Sequence, residues 1–171
     1  MQWRSQLTRS LALALLSLAL AGCGFHLRSS QEFAFKTIAI SPTAGSPVAQ
    51  DLARHFGKSL VPLAPAAGQA APEVVLQIVQ EVRERNIVSV NASGQVRELQ
   101  LLVRLKFKVR TPQGIDLIDM TEISQQRDSS FNESSALAKE AEEVLLFRDM
   151  QSDIVQQMLR RLAAIKLPPA P

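Results

Sequence analysis

The sequence is poor in the residues that staple small domains or build active sites. Its 171 residues hold one cysteine (Cys23), one tryptophan (Trp3), no tyrosine and two histidines, His26 and His55. A lone thiol excludes an internal disulfide and a cysteine-rich zinc site. His26 falls in a polar stretch, and His55 beside the apolar stripe of a predicted helix, so a surface or half-buried structural role suits both. There is no Gly-x-Ser-x-Gly elbow and no glycine-rich phosphate loop. Asp116 and Asp119 form a metal pair only in principle, and a cross-strand charge role suits them better. No catalytic residue, metal ligand or cofactor site is therefore expected. Charge of one sign is also scarce. Lys and Arg total 19 against 16 Asp and Glu, and Arg4 and Arg9 both precede Cys23. Without those two, 17 basic residues face 16 acidic ones, a balance that argues against a nucleic-acid partner. The longest apolar run, residues 11–21, is broken only by Ser17 and is shorter than the ~20 residues that span a bilayer.

What is present is organised around Cys23. A basic start, a short apolar middle and small residues read as a secretory signal peptide over 1–22. The small residues end at a cysteine, and Leu20-Ala21-Gly22-Cys23 resembles the bacterial lipobox. That resemblance implies an S-diacylglycerol and an N-acyl group on Cys23. Several chains are needed, because one acyl chain anchors a protein only marginally and reversibly. Gly24, not an aspartate, follows Cys23, and resemblance to enterobacterial lipoprotein sorting then implies the periplasmic side of the outer membrane. Residues 23–32 read as a tether, 33–167 as a single globular domain and 168–171 as a proline-rich tail.

Within the domain, residues 33–40 read as a strand. Ser46-Pro47 reads as an N-cap with proline at the first helical position. Val48, Leu52, Phe56 and Leu60 then recur every four residues, which predicts a helix over 47–60. An Ala/Pro-rich connector covers 62–72. A strand follows from 73, with Val74, Leu76, Ile78 and Val82 on one face and a bulge or twist over 81–86; it resumes at 87–90. Asn91-Ala-Ser-Gly94 is a turn by composition. Residues 96–110 have the cleanest period in the chain. Leu99, Leu101, Val103, Leu105, Phe107 and Val109 alternate with a polar row that includes Arg104, Lys106, Lys108 and Arg110, as a half-buried antiparallel strand requires. Thr111-Pro-Gln-Gly114 turns the chain into a last strand over 115–124, whose Asp116, Asp119 and Glu122 can face that basic row. Residues 125–132 are polar. A final helix is expected over 135–166, with Leu137, Ala141, Val144, Leu145, Ile154, Met158, Leu162 and Ile165 as its apolar stripe.

Burial then dictates the class: an α+β, two-layer sandwich. Two helices pack on one face of a roughly four-stranded, largely antiparallel sheet, in the order β-α-β-β-β-α. The other sheet face stays polar and basic. The row Arg104, Lys106, Lys108 and Arg110 either meets phosphates or acidic partner residues or is a solvated outer face whose charges discourage sheet-to-sheet association.

Several short motifs occur in a specific joint order. They are Cys23-Gly-Phe-His-Leu-Arg28, Arg97-Glu-Leu-Gln-Leu101, and Ala136-Leu-Ala-Lys-Glu140 leading to Arg148-Asp-Met150. In that order, and across the whole chain after residue 22, the sequence resembles the LptE lipopolysaccharide-assembly lipoproteins. The resemblance implies a non-enzymatic plug and assembly factor for the outer-membrane β-barrel LptD, acting in lipopolysaccharide delivery to the outer leaflet. It also implies lipopolysaccharide binding, with Arg97 and Lys139 at the matching positions. A free-standing periplasmic lipid carrier is the alternative; it would need an enclosed apolar cavity in place of a packed core.

Overall fold

The computed structural model describes residues 31–131 and 135–168. Cys23 with its lipobox, residues 1–30 of the leader and tether, and residues 169–171 of the tail lie outside the described residues. Strand β1 spans Ile38–Ser41, helix α1 Pro47–Phe56, β2 Val74–Val90, β3 Val96–Arg110, β4 Asp116–Ser130 and α2 Ala136–Ala163. The sheet order is β1-β2-β3-β4. β1 runs parallel to β2 and the other pairs are antiparallel. This is the expected α+β arrangement in the expected order.

Helix α1 starts where its chemistry allows. Ser46 Oγ accepts from Ala49 N–H at 3.0 Å, and Pro47 fills the first turn. Val48, Ala49, Leu52 and Phe56 are buried. The helix stops four residues earlier than its periodicity suggests, at Gly57 with φ of 49°, and one 3₁₀ turn follows. β1 is likewise shorter than expected, because Phe33 and Phe35 are spent differently. Their rings gather on Phe56, with centroids 5.1 and 6.1 Å from it, and so close one end of the core.

β3 is the spine of the core. All six of its apolar alternates, Leu99 to Val109, are at most 1% exposed. Five of them, Leu101 to Val109, meet Ile38, Ile40, Leu52, Leu76, Met150, Ile154, Met158 and Leu162 in one cluster. Burying one such side chain contributes about 1.5–3 kcal/mol.

β2 departs from the expected pattern. Its register against β3 slips at Val79, between the pairs Ile78–Phe107 and Gln80–Lys106, and again near Val88. The stretch 81–86, expected to bulge, pairs without interruption. One extra residue in a strand shifts every later side chain by one position relative to plain alternation. Glu81, Arg83 and Arg85 therefore oppose Leu105, Val103 and Leu101 on the helix side, while Val82 opposes Arg104 on the outer face. Val82 is not a core residue.

β4 is longer than expected. The polar run 125–130 continues the ladder to Ser130, which pairs with Glu98. Of its inward side chains, Arg127 finds a polar partner on α2: its Nη2 lies 2.8 Å from Asp153 Oδ2. Helix α2 corrects the stripe as well. Met150, Ile154, Val155, Met158, Leu159 and Leu162 are buried, and Ile165 just beyond the helix is too, but Leu137, Val144 and Leu145 are exposed.

Candidate functional site

The basic row on β3 divides into two halves. Arg104 Nη2 sits 2.6 Å from Glu84 Oε1, across the β2 pairing. Lys106 Nζ lies 3.6 Å from Glu122 Oε2, across β4. These two cations line a shallow depression of about 230 Å³ with Gln80, Val82 and Glu122. The buried Nε of Arg104 has no hydrogen-bond partner among the described residues. Lys108 and Arg110 make no ion pair among the described residues, although Arg110 opposes Asp116 in register. The cause is a slip in the β3–β4 ladder between Phe107 and Val109, which takes Asp119 out of step with the row. Of the three acidic residues expected to face the row, Glu122 forms an ion pair and Asp116 is in register only. Exposed pairs of this kind contribute about 0–1 kcal/mol each, so the first half of the row is neutralised and the second half is left free to meet an anion.

Arg97 and Lys139 come to the opposite end of the sheet. Arg97, the second residue of β3, is exposed; its backbone carbonyl accepts from Phe131 N–H at 2.8 Å. Lys139, on the first turns of α2, donates to Ser130 Oγ at 3.2 Å and lies 2.8 Å from Glu142 Oε2. Both residues thus meet the Ser130–Phe131 corner.

Sequence reasoning did not anticipate the charged strip beneath α2. Glu81 Oε2 accepts from Ser46 Oγ at 2.5 Å and from Val48 N–H at 3.3 Å, tying β2 to the start of α1. Arg83 donates to Gln151 Oε1 at 2.5 Å and lies over the Phe147 ring at 5.9 Å. Arg85 lies 3.1 Å from Glu143 and 5.7 Å from the Phe131 centroid. The signal was legible in principle: Glu81, Arg83 and Arg85 alternate, but their phase is three residues from Ile78 and not two.

His55 is exposed and presents its ring edge-on to Phe56 at 5.7 Å. Among the described residues no three His, Cys, Asp or Glu side chains gather as a metal site, and no helix is long and apolar enough to cross a membrane.

The comparisons with known proteins agree on one family. The family model described as LptE, lipopolysaccharide-assembly, matches residues 35–162. The LPS-assembly lipoprotein LptE of Pectobacterium atrosepticum is 29% identical, over 91% of this chain and 85% of that protein. Its counterpart in Photorhabdus laumondii is 26% identical over the same shares. Among solved structures, lipoprotein B from Nitrosomonas europaea is 35% identical with a TM-score of 0.66, covering 82% of this chain and 91% of that one. A minor lipoprotein from Acinetobacter baumannii, 17% identical with a TM-score of 0.59 over 80% of this chain and all of that one, shares the fold. With three quarters of its length matched by the family model and its β-α-β-β-β-α order in place, the chain belongs to the LptE lipopolysaccharide-assembly family.

Proposed function

We propose that this protein is a non-enzymatic outer-membrane lipoprotein, held by acyl groups on Cys23, that plugs and helps to assemble the LptD barrel and takes part in delivering lipopolysaccharide to the outer leaflet. The observation that carries the reading is the family match over 35–162, joined to a rigid domain whose outer sheet face is polar. Wide outer-membrane barrels have polar, water-filled interiors, and an outer face of Gln80, Glu84, Arg104, Lys106 and Glu122 suits such a lumen. A plug must also be stiff. Inward side chains of β3 at 0–1% exposure describe a packed core, which disfavours the carrier alternative with its need for an apolar cavity.

The test is depletion of the protein from its own cells. Lipopolysaccharide at the cell surface is expected to fall, and the barrel to accumulate in a misassembled form. Unchanged surface lipopolysaccharide and normal barrel assembly after depletion would overturn the proposal.

A further inference from the structure

Helix α2 has 28 residues and α1 only 10, or about 42 Å against about 15 Å. At 100° per residue, Leu137, Ala141 and Val144 lie on the face of α2 that also carries Val155, Leu159 and Leu162. The latter three are buried and the former exposed. Gln151 marks the change: it donates to Pro47 O at 3.4 Å and to Asp51, at the start of α1. Beyond that point the apolar face continues without α1 to cover it.

A cleft of about 480 Å³ opens there, lined by Pro47, Asp51, Arg54, Arg83, Val144, Phe147, Arg148 and Gln151. Ligand sites typically measure about 300–1,000 Å³. Three guanidinium groups meet two carboxylates, Asp51 in the lining and Glu81 beside Arg83. Arg54 pairs with Asp51, and Arg83 is held by Gln151 with Glu81 3.7 Å away. Arg148 has no ion pair among the described residues. The net positive charge lies against an apolar wall of Val144 and Phe147, and that wall runs on along α2 through Ala141 to Leu137, which is 84% exposed. Seven residues of helix from Val144 to Leu137 give about 10 Å of apolar track.

We infer that this cleft binds the phosphate-bearing headgroup of an amphiphile between Arg54, Arg83 and Arg148, with the ligand's apolar part laid along Val144, Ala141 and Leu137. Planar guanidinium forks match phosphate oxygens in pairs, and charge complementarity with an adjoining apolar strip selects a ligand having both parts. The inference deepens the lipopolysaccharide reading and rests on it. It places a site on the helix layer, separate from the outer sheet face and from the Arg97–Lys139 corner.

The experiment measures binding to the full-length acylated protein in a non-ionic detergent. The probes are purified lipopolysaccharide, the same material after removal of its phosphates, and inorganic phosphate alone. The variants are R54Q/R148Q and V144D, with R160Q/R161Q at the exposed far end of α2 as the control. All are surface changes, and far-UV circular dichroism checks the fold. The double variant is expected to bind intact lipopolysaccharide at least about tenfold more weakly, the size of a lost hydrogen bond to a charged group. V144D should weaken binding too, the control should match wild type, and phosphate removal should cost wild type a similar factor. Wild-type affinity in R54Q/R148Q would overturn the cleft while leaving the assembly reading intact. Absence of lipopolysaccharide binding by the wild-type protein would overturn both. Arginine-dependent binding of inorganic phosphate as tight as that of lipopolysaccharide would make this a free-phosphate site and refute the amphiphile. Loss of barrel co-isolation in the double variant with lipopolysaccharide affinity unchanged would make it a protein-docking surface instead.

Discussion

Arg85 and Glu143 face each other where an apolar contact would be the default. Glu143 is 9% exposed, and Arg85 is half open to water. Removing one partner leaves a nearly buried carboxylate with less solvation than it needs, so Arg85→Ala is expected to destabilise the domain by about 1–2 kcal/mol. The matched replacement R85M/E143L should recover that loss or exceed it, since apolar isosteres often equal a buried pair. Urea unfolding of the two variants checks the order, and a double variant less stable than R85A would contradict it. Arg97 and Lys139 raise a different question, because both reach the Ser130–Phe131 corner without being bound up in the core. Changing both to Asp is expected to weaken lipopolysaccharide binding while barrel association persists. Unchanged lipopolysaccharide affinity in the folded double variant would remove them from the site.

At the scale of elements, legibility followed local period and failed where a partner decided the outcome. β3 could be read residue by residue because its period of two runs unbroken from Leu99 to Val109. β2 was harder, because one extra residue at Val79 put Glu81, Arg83 and Arg85 inward and Val82 outward, and only the changed phase of those charged residues marks it. β4 outran its expected end because Arg127 finds Asp153 across the layer, a partner that a single strand's pattern cannot display. The stripe of α2 was legible over its second half, at Ile154, Met158, Leu162 and Ile165, but helical period says nothing of how far the opposing helix extends. Residues 137–145 therefore present an apolar face with nothing from α1 over it. Local stability should divide accordingly. Amide exchange across 136–148 is expected to be faster than across 150–162 by at least about tenfold, the more so at high salt, where the ion pairs beneath that half are screened. Uniform protection along α2 would show that the charged strip holds the helix as firmly as the core does.

At the scale of the molecule, the domain offers three distinct polar surfaces on one rigid core. The outer sheet face carries a row half neutralised by Glu84 and Glu122, with Lys108 and Arg110 outside any ion pair among the described residues. One end of the sheet carries Arg97 and Lys139, and the helix layer carries the arginine cleft. The fold class and the existence of the basic row were readable from the sequence. The division of that row, and the cleft, depend on two ladder slips and a helix-length mismatch that only the assembled layers reveal. Under the proposed function all three would have work, with a barrel wall on one side and a phosphorylated glycolipid in passage. The most direct test is affinity isolation of the acylated protein from detergent-solubilised outer membranes. The account expects a large β-barrel to come with it in a stoichiometric complex that survives detergent. Recovery of the protein alone with bound lipid would contradict the plug and favour a carrier.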